Sequence, residues 1–548
     1  MREDPDRATF QLAHPFEITH RRVVVFNLHT KQIGERHTKE RCETFERIDL
    51  NDFSALKFVN SGAGDRQTLG GSKMSTKLWG GRFSKEVDKS ITGWTESITV
   101  DSKMVVEDIW GSMAHVSMLG VKGIIPPRDA AAVLSKLLEF QNGYIAGEWQ
   151  LQFDREDVHM NVEARLIDSL SIEVGGRMHT CRSRNDQVVL DSKLYTRKRL
   201  LELREKLLPV IETLLERAGG MTEDVMSSYT HVQHAQPISV AYWLSHYAAI
   251  FLRDLDRLKR AYDLTDENPL GSGALAGTSF PIDRELTRDL LGFQKVHEHG
   301  LDATSSRDFM LEVLSASAIL STTGSRLAEE FIFWSSYEFR TLTLDDGFAM
   351  GSSMMPQKKN PGTVELIRAR SGRMNGLLMA GLTLMKGLPS GYNRDFHEEK
   401  EILWEGLDLI NRMVEILPPL IKSTTINKER MAELSYGNFS TATELANYLV
   451  RSHHVPFRQS HHIVGTLVGE LSRRGENFTN FAACIEHLKK NNIDAQAEEV
   501  KQVLDPRQVM LSYNSLGGPD PRPCGRCSRS SRRRERLTAA TYKLISAA

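Results

Sequence analysis

Three polar stretches of this chain carry residue types that could do chemistry. Gly351-Ser352-Ser353-Met354-Met355-Pro356-Gln357-Lys358-Lys359-Asn360-Pro361 gathers a flexible glycine, two hydroxyls, two lysines and an amide in eleven residues. Such a loop can close on an anion and present a nucleophile or base. Tyr229-Thr230-His231-Val232-Gln233-His234-Ala235-Gln236-Pro237 offers an imidazole whose ordinary pKa lies near the operating range, next to a hydroxyl, so proton transfer is possible there. His179-Thr180-Cys181-Arg182-Ser183-Arg184-Asn185-Asp186-Gln187 places two guanidiniums and amide donors at a helix entrance, a setting suited to carboxylates. Taken singly, each stretch fits a plainer role equally well: an N-cap at Ser183 or Asn185, a structural histidine, a solvated loop ahead of a helix near Pro361.

The elements between them read as helix after helix. Leu200, Leu203, Leu207, Ile211 and Leu214 recur at steps of three and four, as do Val240, Trp243, Tyr247, Phe251, Leu255 and Leu258, and Leu403, Leu407, Ile410, Val414 and Leu417. These stripes predict a bundle of long helices, with Pro209 and the Pro418-Pro419 pair expected to kink or end theirs. The second polar stretch reads as a loop before a periodic helix. With 548 residues a large core is possible, and 70 Lys plus Arg against 71 Asp plus Glu leave no net field for nucleic acid or an anionic membrane. Five scattered cysteines do not form a secreted disulfide framework, and no apolar run is long enough to span a bilayer. Residues 1–73 read as an extension, too acidic for a transit peptide, with Met74 the expected start. The last segment, with Cys524, Cys527 and Arg532 to Arg534, reads as a basic tail and not as a zinc site.

In this order, with long helices between, the three stretches resemble the signature segments of the aspartase/fumarase superfamily of lyases, GSSMMPQKKNP above all. SRNDQ, YTHVQHAQP, LWGGRF at Leu78–Phe83, LDATSSRDF at Leu301–Phe309 and KGLPSGYNRDFHEEK at Lys386–Lys400 resemble the argininosuccinate lyase family within it. The resemblance runs from about residue 74 to about residue 518. It implies an all-α, three-domain fold whose central long-helix bundle forms a homotetrameric core. The implied boundaries are an extension at 1–73, an N-terminal helical domain at 74–182, the central bundle at 183–430, a C-terminal helical domain at 431–520 and a tail at 521–548. The implied activity is the reversible β-elimination of argininosuccinate to fumarate and arginine, the last step of arginine biosynthesis. It needs no cofactor and no metal, has no nucleic-acid or membrane partner, and runs in the cytoplasm. Related lyases acting on adenylosuccinate, malate or aspartate, and a silent structural protein of the same fold, are the rival readings.

Carried over residue by residue, the resemblance makes Ser352 the base, Lys358 and Asn360 its electrostatic support, and His231 with Glu365 the titratable pair at the leaving nitrogen. Ser97, Asp101, Asp157, Arg184, Asn185, Thr230, Asn360, Tyr392, Arg394, His397 and Lys400 would hold substrate. Each site would draw its three segments from three subunits, and His231 and Ser352 could stand at opposite ends of one subunit. Four positions depart from the family pattern: Cys181 for glycine, Gly362 for aspartate, Arg394 for lysine and His397 for glutamine.

Overall fold

The computed structural model describes residues 89–521; the extension, the LWGGRF motif and the basic tail with its cysteine pair lie outside them. Lys89–Thr95 is a short helix by itself. From Ser97 onward the chain is a helical assembly built on five long helices, Arg184–Gly219, Val240–Thr265, Asp308–Ser335, Gly362–Met385 and Glu398–Ser423. All three apolar stripes face inward, and Leu203, Leu207, Ile211, Phe251 and Val414 are fully buried. Burial of such a stripe is what makes a helix of this length stable in water.

The directions of these helices decide what they can bring together. Arg184–Gly219 and Glu398–Ser423 run parallel, since Arg199 pairs with Asp408 at 3.0 Å, Lys206 with Glu415 at 2.9 Å, and Arg217 Nη1 donates to Thr424 O at 2.7 Å. Val240–Thr265 packs along the first helix and returns to its starting end. There the segment that follows it meets the turn at Asn185: Asn185 Nδ2 donates to Ala274 O at 3.0 Å, and Asp186 accepts from the Gly271 and Gly273 amides. Asp308–Ser335 then descends, so that Trp334 stacks on Trp243 with centroids 4.4 Å apart, and Gly362–Met385 climbs back beside it.

Pro209, Pro418 and Pro419 sit inside helices that run on past them, so of the two expected outcomes, a kink or an end, the end is excluded at each. The flanking residues Leu207, Val210, Ile211, Leu417, Leu420 and Ile421 are all buried, and their packing outweighs the local cost of a missing N–H. Around the bundle, Val105–Val121, Pro127–Ile145 and Val158–Leu170 cover the end bearing Arg184. A second apolar cluster, with Leu445, Leu449, Leu467, Cys484, Leu488 and Val500, holds together the helices between residues 442 and 504. No helix among the described residues is long and apolar enough to cross a membrane.

Candidate active site

At the Arg184 end, nine of the residues picked out from the sequence converge. Ser183 and Asp186 form a capping box that starts the helix at Arg184, which places Arg184 and Asn185 in its first turn. Asp157 caps the Val158–Leu170 helix through Met160 N at 2.7 Å and lies 3.5 Å from the Arg184 guanidinium. Lys400 forms a buried ion pair with Asp101, whose other oxygen accepts from Ser97 Oγ at 2.6 Å. Losing one member of such a pair leaves the other charge buried, at a cost of about 3–5 kcal/mol. Arg394 reaches Glu156 Oε1 at 3.0 Å. Burial, with the Glu399 charge, pushes the Tyr392 hydroxyl up to about 12, so it stays a donor. The cluster therefore offers cations, carboxylates and neutral donors together, as a substrate with both carboxylates and amino groups requires.

The other two stretches stand at the far end. The Arg184–Gly219 helix has 36 residues, roughly 54 Å at about 1.5 Å per residue. Beyond it the chain forms a β-hairpin, β1 (Val225–Thr230) and β2 (Gln233–Ser239), not the plain loop read from the sequence. Its two-residue turn is His231-Val232, both left-handed at φ 54° and 58°. This is the turn that matches strand twist, normally made with Asn-Gly, so a β-branched valine there is strained. Thr230 and His231 are exposed at the tip, and Asn438 anchors the hairpin through Ser227 Oγ at 2.9 Å.

Ser352 lies on a loop closed at its base. Met350 and Asn360 exchange backbone hydrogen bonds of 2.9 and 2.7 Å, and Lys359 donates to Leu344 O and Asp346 Oδ1 at 2.5 and 2.6 Å. Ser352 Oγ accepts from Met354 N at 3.3 Å and Met355 N at 3.0 Å, an arrangement that favours negative charge on the oxygen. Asn360 Nδ2 donates to Gly351 O at 3.3 Å, and Glu365 follows in the first turn of the Gly362–Met385 helix. Among the described residues the Lys358 ammonium makes no hydrogen bond or ion pair and is exposed on the same loop as Ser352. His231 and Ser352 thus stand at the same end of the chain, not at opposite ends. Two antiparallel helices, Val240–Thr265 and Asp308–Ser335, lie between them and return the chain to where it started.

Residues 81–376 match the lyase family, and residues 439–510 match the argininosuccinate lyase C-terminal family. Among curated relatives, argininosuccinate lyase of Pelotomaculum thermopropionicum is 43% identical over 81% of this chain and 96% of its own. That of Streptococcus gordonii is 46% identical over 81% and 95%. The chain belongs to the argininosuccinate lyase family. It is a lyase, and solved structures agree. A variant of EDDS lyase with bound fumarate superposes with TM-score 0.71 at 27% identity, over 81% of this chain and 87% of that one. The class II fumarase of Schistosoma mansoni shares the fold, with TM-score 0.65 at 18% identity over 75% and 91%.

Departures from the argininosuccinate lyase pattern can now be placed. Cys181 adopts φ 64°, the left-handed conformation that glycine holds without strain. Cys181→Gly is therefore expected to raise stability by about 1 kcal/mol, measured as the urea midpoint at constant m; a lower midpoint would contradict it. At Gly362 a Cβ would sit 2.5 Å from Met350 Sδ, so this glycine leaves room for that methionine. His397 is held down to about 4 by burial and by the charges of Lys400 and Arg394, against an ordinary 6.5. Folded, it stays neutral where the unfolded chain already takes up a proton, so its contribution is present above about 6.5 and is lost as pH falls toward 4. His397→Gln should accordingly gain melting temperature relative to the parent at pH 5 but not at pH 8; a pH-independent difference would refute this.

Several residues outside the set expected from the sequence hold the site. Arg307 forms a wholly buried ion pair with Glu399 and stacks on the Phe396 ring at 4.3 Å, beneath the segment that carries Tyr392, Arg394 and His397. Its signal was present in LDATSSRDF. Asp108, His159 and Asp191 are buried within mutual reach, close enough to hold a cation, with His159 Nδ1 2.7 Å from Asp108 and the Arg182 guanidinium acting on both carboxylates. Burial and the charge of Asp108 push Asp191 well above the usual carboxylate range. A charged residue inside the apolar run VVEDIWGSMAHV was the available sign of Asp108.

Proposed function

We propose that the chain catalyses the reversible β-elimination of argininosuccinate to fumarate and arginine, as a cytoplasmic homotetramer serving arginine biosynthesis. The observation that carries this reading is the convergence of Arg184, Asp157, Asp101, Lys400 and Ser97 at one end of a chain whose other end bears Ser352 and His231. Elimination needs a base beside a weakly acidic C–H and donors that stabilise the dianion as charge moves onto its carboxylate. Ser352 takes that proton. Its oxygen already receives two backbone N–H groups, and Lys358, carried on the same loop, lowers the cost of an alkoxide once the loop excludes water. His231, supported by Glu365, protonates the departing nitrogen. Arg184, Asn185, Thr230 and Asn360 grip carboxylates, and Ser97, Asp101, Asp157, Tyr392, Arg394, His397 and Lys400 surround the remaining groups.

A single chain keeps these groups tens of ångströms apart, which supports sites assembled from three subunits. Exposed apolar residues on the central helices, among them Ile319, Met379 and Leu382, supply faces that a tetramer would cover. The test is fumarate absorbance after adding argininosuccinate, adenylosuccinate, malate or aspartate to purified protein. Release from argininosuccinate alone is expected; activity confined to another substrate, or none from a folded tetramer, would overturn the proposal.

A further inference from the structure

Under the first turn of the Arg184–Gly219 helix runs a buried polar chain that the proposed chemistry does not use. Arg184 Nη1 donates to Gln187 Oε1 at 2.9 Å, and Gln187 Nε2 donates to Asp108 Oδ1 at 2.6 Å. The same carboxylate oxygen receives His159 Nδ1 at 2.7 Å. Gln187, Asp108 and His159 are all buried, whereas the Arg184 side chain is one-third exposed. The carboxylates of Asp157 and Glu163 stand farther from the guanidinium, at 3.5 and 3.8 Å. We infer that Gln187, backed by Asp108 and His159, is the positioning residue that aims the Arg184 guanidinium and so sets how tightly a substrate carboxylate is held. This rests on the reading of Arg184 as a carboxylate-binding residue.

The residue type follows from the donors on each side. A guanidinium can only donate, so it must face an acceptor; an ionised carboxylate can only accept, so it must face a donor. Burial alone would raise the Asp108 carboxyl, but the His159 ring and the Arg182 and Arg184 guanidiniums outweigh it and hold it below the usual range. Glutamine meets both demands with one group, and its position three residues after Arg184 puts the two side chains on one helix face. Without that tether a long, rotamer-rich side chain must be ordered by the substrate itself, and the cost falls on affinity.

The test uses the full-length protein and the fumarate-release assay. Gln187→Met, nearly isosteric, should raise KM for argininosuccinate about tenfold or more while kcat changes less. Gln187→Glu gives a readout that a purely structural role would not move. The new carboxyl would face Asp108 from the Val105–Val121 helix, His159 and Glu163 from Val158–Leu170, and Arg182, Arg184 and Asp191 from its own stretch. Protonated, it copies the amide, accepting from Arg184 and donating to Asp108; ionised, it repels Asp108. Its KM relative to the parent should therefore rise with pH through a new ionisation. Adding Asp108→Asn exchanges the charges, because the new amide can donate to residue 187 and accept from His159, and should abolish that ionisation and restore affinity. An unchanged KM in Gln187→Met alongside a raised KM in Arg184→Met would overturn the inference alone. An unchanged KM in Arg184→Met would overturn the underlying reading with it. Should Gln187→Met fail to fold, a Gln187→Glu profile parallel to the parent's would still overturn the inference.

Discussion

Ser352→Ala is expected to lower kcat by about a hundredfold to ten-thousandfold, the usual contribution of a positioned base, while the dissociation constant for argininosuccinate stays within about threefold. The hydroxyl is half-buried on a loop whose base is pinned by the Met350–Asn360 backbone pair and by Lys359, so its removal leaves the loop's attachment intact. What disappears is an oxygen toward which two amides already point, on the loop that also carries the exposed Lys358. Those groups matter most when charge develops on the oxygen during proton removal, so turnover falls and ground-state binding does not. Fumarate absorbance measures the first quantity and calorimetry on the inactive variant the second. Weakened binding with normal turnover would remove Ser352 from the role of base.

Mixed tetramers supply the second large effect. His231→Asn and Ser352→Ala proteins, each inactive alone, are expected to recover about a quarter of parental activity when unfolded together and reassembled at equal amounts. The estimate follows from random mixing: half the hairpins are intact, half the Ser352 loops are intact, and a site that takes them from different chains has both in one case of four. His231 and Ser352 share one end of the chain, but no hydrogen bond or ion pair joins their segments among the described residues. The Arg184 cluster, to which the proposed reaction assigns substrate binding, lies at the other end, past a helix of 36 residues. Recovery of nothing, in tetramers shown by mass to be mixed, would mean that the two residues serve one site from one chain.

Much of the molecule was legible because its information is local. An apolar stripe at steps of three and four has one stable outcome, a helix with that face buried, and all three stripes found it. The start of the Arg184 helix was legible for the same reason, since a capping box closes within four residues. The hairpin was not. Its strands carry no alternation of apolar and polar residues, and its turn is His231-Val232 where a hairpin signal would be Asn-Gly. The unbroken helices through Pro209, Pro418 and Pro419 were hidden too, because a proline's local cost is visible in sequence and the packing that offsets it is not.

For the chemistry the division is similar. Residue types and order by themselves determined the family, the set of groups that could take, give or stabilise charge, and the long helices that separate them, because each is a property of contiguous segments. Only the tertiary structure decided which groups meet. It put Lys400 against Asp101 and Arg307 against Glu399 across long stretches of sequence, and ran Gln187 back to Asp108 and His159. It also returned Ser352 to the end that bears His231. The reason is that contacts between distant segments depend on how many times the chain crosses the bundle and in which direction each helix runs. Those are set by the packing of all the helices together, and no single segment encodes them.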